Sequence, residues 1–186
     1  MKKLIFVSLI IFLVPIAAHS QTYRLLCSWA GGNFGQGLNQ PTRTAVQASN
    51  QVARALEVDY ISIYQGGVLN ASATVLNNEP VIVYNSNFMN AMFRSGSQWA
   101  PKSIIAHEYG HHLNYDTTYY GQFKHPWTKE LQSDFVSGLA MARMGATLEE
   151  ATRALIIQFS SFGSQSHPDT PRRLDAVSQG WYRGRT

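Results

Sequence analysis

The sequence divides at Pro101 into a part that carries the predicted strands and a part that is mainly helical. Runs of β-branched or alternating apolar residues predict three strands, at 58–64, 68–75 and 80–84. The turn residues Asn77-Asn78-Glu79 join the second and third strands and indicate a hairpin. Helical periodicity predicts helices at 41–56, 88–94, 102–115, 126–144, 147–162 and 170–179. Strands gathered early and helices gathered late are typical of a small α+β domain.

Capping residues set several of the predicted helix boundaries. Thr147, with Glu150 three residues later, forms a capping box at the start of one helix. Pro126 suits the first turn of another helix. The last helix is predicted to begin with Thr170 as its N-cap and to end before Gly180.

Residues 1–20 have the three parts of a secretory signal peptide. A short cationic start precedes an apolar run from Leu4 to Ile16, and small residues follow before Gln21. The apolar run is too short to cross a bilayer comfortably, and an uncleaved membrane anchor is the alternative. We therefore expect residues 21–186 to form a single exported domain, periplasmic or extracellular, without stable membrane insertion after cleavage.

Composition excludes several other classes of protein. Aromatic residues make up 12% of the chain and no tract is low in complexity, which excludes collagen-like, coiled-coil and disordered proteins. Cys27 is the single cysteine, so the chain has neither an intramolecular disulfide framework nor a cysteine-rich zinc finger. Without Lys2 and Lys3, 13 Lys and Arg stand against 11 Asp and Glu, a balance that argues against a nucleic acid partner.

The segment His107-Glu108-Tyr109-Gly110-His111 lies within a predicted helix. Residues four apart share one helix face, so both imidazoles can reach a single metal ion. Glu108 is rotated toward the side of the ion where a water molecule would lie. Two surface histidines on a polar helix are the alternative. His112 lies further round the helix, and we expect it beside the ligands or at the surface.

A zinc ion that acts in catalysis needs a third protein ligand and one open position. The metzincin continuation requires Gly and His where this chain has Asn114 and Thr117, so that pattern fails. A second continuation places acids on the next helix, and Glu130 followed by Asp134 fits it. Glu130 would bind the metal, and Asp134 would accept the free ring N–H of a ligand histidine. Two surface acids on an amphipathic helix are the alternative.

Together these motifs resemble those of the gluzincin zinc metallopeptidases. Two further segments are similar to the branch that contains the CAAX prenyl proteases, the heat-shock proteases and bacterial neutral zinc metallopeptidases. They are Asn70-Ala71-Ser72-Ala73-Thr74 and Ser166-His167-Pro168 with Arg173-Leu174. Ser72 departs from that branch by replacing an aromatic residue, and the chain lacks the membrane helices of the prenyl proteases.

The resemblance implies a small zincin-like catalytic domain. Its mixed or antiparallel sheet would have an edge strand at the cleft and would pack on a helical half that carries the metal site. One catalytic Zn2+ ion would be held by His107, His111 and Glu130. Glu108 would be the general base.

The resemblance also implies contacts with the substrate. It suggests that the strand 80–84 borders the cleft, and that His167 and Arg173 lie near the oxyanion. A tight turn before Pro168 is the alternative role for His167, and an ion pair with an acid is the alternative for Arg173. The substrate contacts that the resemblance implies would fall on Asn70, Ala71, Val81 and Val83.

The sequence therefore predicts an exported zinc-dependent endopeptidase that acts on peptide or protein substrates. A metal-dependent hydrolase of non-peptide or cell-wall amide bonds is one alternative. A non-catalytic exported module with structural zinc is the other. Glu108 argues against the last, because a structural zinc site has no need of that carboxylate.

Overall fold

The computed structural model describes residues 37–95, 97–158 and 162–186. The predicted signal peptide and Cys27 lie outside the described residues. In chain order the elements are α1 (Arg43–Leu56), β1 (Ser62–Gln65), β2 (Ala71–Leu76), β3 (Glu79–Tyr84), α2 (Ser86–Arg94), α3 (Trp99–Leu113), a 3-10 helix (Tyr119–Phe123), α4 (Pro126–Arg143), α5 (Leu148–Gln158) and α6 (Thr170–Gly184). The predicted small α+β fold is confirmed. Among the described residues, no helix has both the length and the apolar composition that crossing a bilayer requires.

The three strands form a mixed sheet in the order β1–β3–β2. The predicted hairpin is confirmed, because β2 pairs antiparallel with β3 and Leu76 lies opposite Glu79. Between them, Asn77 and Asn78 have φ angles of 51° and 65°. Two consecutive residues with positive φ are typical of a type I′ turn, and asparagine adopts this conformation more readily than most residues. β1 pairs parallel with the other side of β3.

The central position of β3 shows that one prediction was wrong. The segment 80–84 was expected to be the strand at the edge of the cleft, but both edges of β3 are paired. An additional peptide strand therefore has no free edge of β3 to bind. Val81 and Val83 are also 4% and 0% exposed and pack against Val68. Their contact with a substrate stays a prediction.

The helix that carries the histidine motif starts earlier than predicted. Ser97 precedes α3, and its Oγ accepts hydrogen bonds from the backbone N–H groups of Trp99 and Ala100, both at 3.2 Å. Pro101 consequently lies in the first turn of α3, where a missing backbone N–H removes no helical hydrogen bond. The segment 116–125, between two of the predicted helices, contains the 3-10 helix.

Both ends of the last helix differ from the prediction. Asp169 is the N-cap of α6, because its side chain accepts a hydrogen bond from the backbone N–H of Arg172 at 3.0 Å. Thr170 is instead the first residue of the helix. The helix also continues past Gly180 to Gly184. A Cβ atom at Gly180 would overlap the carbonyl oxygen of Phe135, so this glycine permits close packing of α6 on α4.

α3 lies at the centre of the described fold and packs against α1, α2, α4, α5, β2 and β3. Its Tyr109 is 0% exposed, and the phenol oxygen lies 2.9 Å from both Ser49 Oγ and the backbone nitrogen of Ile61. These bonds tie α3 to α1 and to the start of the sheet. The helix that carries the predicted metal ligands is therefore held from several sides.

Candidate metal centre

Three buried side chains converge where α3 and α4 pack together. The Nε2 atoms of His107 and His111 are 3.0 Å apart. Glu130 approaches both rings, with Oε2 3.5 Å from His107 Nε2 and Oε1 3.7 Å from His111 Nε2. Ligands at roughly 2.0–2.1 Å from a tetrahedral zinc ion would be about 3.3 Å from one another. The three observed distances span that value, so this group could hold a metal ion.

A glycine in the histidine motif lets α4 approach α3. A Cβ atom at Gly110 would lie 2.6 Å from the Cα atom of Ser133, closer than real side chains come. Ser133 lies between Glu130 and Asp134 on α4. The close approach at Gly110 therefore brings both acids to the histidines.

In both histidines a carboxylate lies within hydrogen-bonding distance of Nδ1, the ring nitrogen that faces away from the shared centre. Asp134 Oδ1 lies 2.9 Å from His107 Nδ1, as the sequence predicted. Asp116 Oδ2 lies 3.0 Å from His111 Nδ1. A carboxylate accepts a hydrogen bond, so each Nδ1 carries the proton, and Nε2 is the atom left to bind a metal.

The charges around this group favour a cation at its centre. Burial lowers the pKa of His107, but hydrogen bonds and charges from Asp134 and Glu130 outweigh it and raise the pKa to about 10. Burial raises the pKa of Glu130, but His107, His111 and Arg173 hold it well below its usual range. A buried carboxylate that stays ionised needs a positive charge beside it. A bound metal ion would supply that charge in place of a proton.

Glu108 connects the histidine helix to the outer edge of the sheet. It is 3% exposed, and its Oε2 accepts a hydrogen bond from the backbone N–H of Ala73 at 2.7 Å. Ala73 lies in β2, whose outer edge pairs with no other strand in the described part of the chain. Burial raises the pKa of Glu108, and the charges of His107 and His111 counteract only part of that effect. A carboxylate with a raised pKa is suited to take up and return a proton.

A cavity of about 50 Å³ opens beside His107 and Glu108. Asn70 and Ala71 line it, so two of the predicted substrate-contacting residues lie next to the metal group. Their contact with a substrate remains a prediction. Most of the other lining side chains are apolar and come from α2, α3, α5 and α6: Phe88, Ile104, Ala151, Ala154, Leu155 and Val177.

His167 and Arg173 both lie close to Glu130 of the candidate metal group. His167 Nε2 lies 3.9 Å from Glu130 Oε2, and burial lowers the pKa of this histidine. Arg173 is 2% exposed and donates from Nε and Nη2 to the two oxygens of Asp134, both at 2.7 Å. Its Nη2 also lies 3.5 Å from Glu130 Oε2. These contacts favour the ion-pair alternative for Arg173 over the predicted place at an oxyanion.

Three other residues near the motif lie outside the group. His112 Nε2 donates to the carbonyl oxygen of Val81 at 3.0 Å, which ties α3 to β3. Burial lowers the pKa of His112 to about 4, so the ring is neutral at pH 7. Tyr119 and Tyr120 belong to the 3-10 helix and are 58% and 71% exposed.

The sequence analysis missed Asp116. This residue follows the end of α3, five positions after His111, and belongs to no part of the motif that was used to find the other acids. Its one sequence signal is an acid shortly after the second histidine. Such acids are common on surfaces, whereas Asp116 is 4% exposed.

Comparisons with protein-family models, with curated proteins and with solved structures find no match for this chain. The resemblance to gluzincin peptidases therefore depends on the motif residues and their arrangement. The arrangement supports a metal-binding group on two packed helices, and membership of the family stays a prediction.

Proposed function

We propose that this chain is a zinc-dependent endopeptidase. One observation carries the proposal: Glu108, next in sequence to a candidate metal ligand, accepts a hydrogen bond from Ala73 on the outer edge of β2, which pairs with no other strand among the described residues. The buried Glu108 carboxylate thus lies between the candidate metal ligands and the edge of a strand. Hydrolysis of an extended peptide uses all three.

The candidate ligands suit catalytic zinc. Two neutral imidazoles and one carboxylate form a donor set that catalytic zinc sites use, with the fourth position open. Zinc bound to His107, His111 and Glu130 would polarise a carbonyl group and lower the pKa of water. Asp134 and Asp116 hold the two rings with Nε2 toward the shared centre.

Glu108 would move the proton. As the oxygen of a water molecule attacks the peptide carbonyl carbon, Glu108 accepts a proton from that water. When the C–N bond breaks, Glu108 returns the proton to the leaving nitrogen. The raised pKa of Glu108 supports both transfers, and the Ala73 N–H fixes one carboxylate oxygen.

β2 would bind the substrate as an additional strand. An extended peptide can pair its backbone with a free sheet edge, and side-chain pockets then give selectivity. The apolar cavity beside Glu108 would take one substrate side chain. We therefore expect cleavage of unfolded chains next to an apolar residue.

The first experiment measures metal content and proteolysis together. The purified protein should contain about one zinc per chain and should cleave an unfolded protein substrate. A chelator should abolish cleavage, and added zinc should restore it. Cleavage of peptidoglycan amide bonds without proteolysis would favour the alternative hydrolase. Bound zinc with no activity on either substrate would favour a structural role for the metal.

The substitution Glu108→Gln tests the proposed base. Gln keeps the size of the side chain but cannot accept the proton, so turnover should fall by about 10²- to 10⁴-fold. Zinc content should stay unchanged, because Glu108 is not a candidate ligand. Glu149→Gln is the matched control, because the Glu149 side chain is 83% exposed on α5. Wild-type turnover in Glu108→Gln would contradict the assignment.

A further inference from the structure

We propose that Asp116 and Lys124 form a positioning pair that fixes the ring of His111 for metal binding. This inference rests on the metal site of the proposed function, but it does not require that the substrate be a peptide. It assigns a role to the segment between α3 and α4, which contributes no candidate ligand.

The contacts form a chain from the ligand to a lysine. His111 Nδ1 lies 3.0 Å from Asp116 Oδ2, and Lys124 Nζ donates to Asp116 Oδ1 at 2.8 Å. His111 and Asp116 are 2% and 4% exposed, so their contact forms away from solvent, whereas the Lys124 side chain is 27% exposed. Hydrogen bonds to ionised groups are stronger and more directional when they are buried.

The same arrangement occurs on the other histidine. Asp134 contacts His107 Nδ1, and Arg173 binds both oxygens of Asp134. Each of the two candidate histidine ligands therefore contacts an acid, and each acid is held by a cationic side chain. Asp134 and Arg173 come from the long helices α4 and α6. Asp116 and Lys124 come from a short connection, which must itself be held in place.

The backbone on both sides of Asp116 adopts a conformation that holds this residue close to His111. Tyr115 has a φ of 61°, in the left-handed region that residues with a side chain rarely adopt. This conformation turns the chain so that Asp116 N–H donates to the carbonyl oxygen of His111 at 2.9 Å. A Cβ atom at Gly121 would overlap the carbonyl group of Asp116, so the 3-10 helix packs directly against this residue. Unusual backbone geometry persists where surrounding contacts require it.

Lys124 joins this connection to both metal helices. Besides Asp116, its Nζ donates to the carbonyl oxygen of Asn114, at the end of α3. It also donates to Gln132 Oε1 of α4, at 3.2 Å. A purely structural role for Lys124 would affect folding alone. A positioning role would also affect how tightly His111 binds metal.

A double-mutant cycle on zinc affinity separates these roles. The variants are Asp116→Ala, Lys124→Gln and the double variant, with Asp59→Ala as an exposed control. Loss of a partner that orients a metal ligand typically weakens affinity about 10- to 100-fold. We expect that loss for Asp116→Ala and a smaller loss for Lys124→Gln. The double variant should bind zinc as Asp116→Ala does, because Lys124 acts through Asp116.

Two further readouts address structure. The absorption spectrum of the cobalt-substituted protein should change in Asp116→Ala and not in Asp59→Ala, because it reports ligand geometry. Asp116→Asn keeps an acceptor for the ring N–H, so it should recover most of the zinc affinity. It also serves as the test if Asp116→Ala fails to fold, and its affinity should then lie between 2- and 10-fold below wild type.

The outcomes distinguish the two proposals. Wild-type zinc affinity and an unchanged cobalt spectrum in folded Asp116→Ala would overturn the positioning role while leaving the metal site intact. If Asp116→Ala does not fold, wild-type affinity in Asp116→Asn overturns it. A wild-type protein that binds no zinc would overturn the metal site itself, and this inference with it.

Discussion

Gly180 shows how one residue type can indicate two different structures. A glycine after a helical run is typical of a helix C-terminus, which is the interpretation that the sequence favoured. In the structure α6 continues through Gly180, because the absent side chain lets the backbone of α4 approach. The partner helix lies some 45 residues earlier in the chain, and the sequence around Gly180 carries no sign of it.

The substitution Gly180→Ala should destabilise the protein. Alanine favours a helix by about 1 kcal/mol relative to glycine, but overpacking typically costs about 1–3 kcal/mol and more when backbone must move. The added Cβ would meet the backbone carbonyl of Phe135, which has little room to yield. Urea unfolding should therefore give a lower free energy of unfolding for the variant than for the wild type.

Gly37→Ala is the control, since nothing lies within 4 Å of a Cβ atom at that position. Equal stability of Gly180→Ala and wild type would show that the two helices adjust freely.

The residues of the candidate centre differ in how far the sequence could predict them. His107, Glu108 and His111 follow from spacing within one helix, and Glu130 and Asp134 follow from the same rule on the next helix. Asp116 depends on the left-handed turn at Tyr115. Few sequence signals mark a non-glycine residue with positive φ. The contact between Asp116 and His111 could therefore not be predicted from the sequence.

Among the elements, the strands were easier to predict than their order. Alternating residues and the two asparagines of the turn are local signals, and they gave the β2–β3 hairpin. The parallel pairing of β1 with β3 joins segments separated by the whole of β2. No local pattern indicates on which side of the hairpin a third strand adds. The choice of edge strand was therefore wrong, although the strands themselves were present.

The N-terminus of α5 gives a prediction about acid stability. The capping box is confirmed: Thr147 N–H donates to Glu150 Oε2 at 2.8 Å, and Glu150 N–H donates to Thr147 Oγ1 at 3.2 Å. The bond from the Thr147 backbone lowers the pKa of Glu150 in the folded protein. A lowered folded pKa means that the stabilisation is present above the unfolded pKa and is lost as pH falls through the folded value.

Glu150→Gln should remove this pH dependence. The amide oxygen still accepts the bond but does not titrate between pH 6 and pH 3. The wild type should be more stable than the variant at pH 6, and the difference should shrink toward pH 3. Chemical unfolding across this range measures it, with Glu149→Gln as the control on the same turn. A difference that grows on acidification would contradict the sign.

For the whole molecule, the candidate metal centre links ligand binding to stability. Its candidate ligands come from α3 and α4. The acids beside the histidines lie on α4 and in the connection 114–124, and Arg173 of α6 binds the first of these acids. An ion that binds the folded chain and not the unfolded chain stabilises the fold, by about 2.7 kcal/mol at a free concentration 100-fold above Kd. The centre should thus contribute to thermal stability as well as to chemistry.

Removing the metal should lower the melting temperature. We expect a chelator to shift thermal unfolding downward and added zinc to reverse the shift. His111→Ala should abolish the response, because it removes one of the three candidate ligands. His125→Ala provides a matched control, since that ring caps α4 outside the group. A melting temperature that changes neither with chelator nor with added zinc would argue against a bound metal ion.

The hairpin at 71–84 and the helix pair at 99–143 supply separate halves of the proposed site. Hydrogen bonds from Ala73 to Glu108 and from His112 to Val81 cross between them. Under the proposed function, a protein engineer could vary the exposed turn of the hairpin to change which targets bind while leaving the candidate ligands in place.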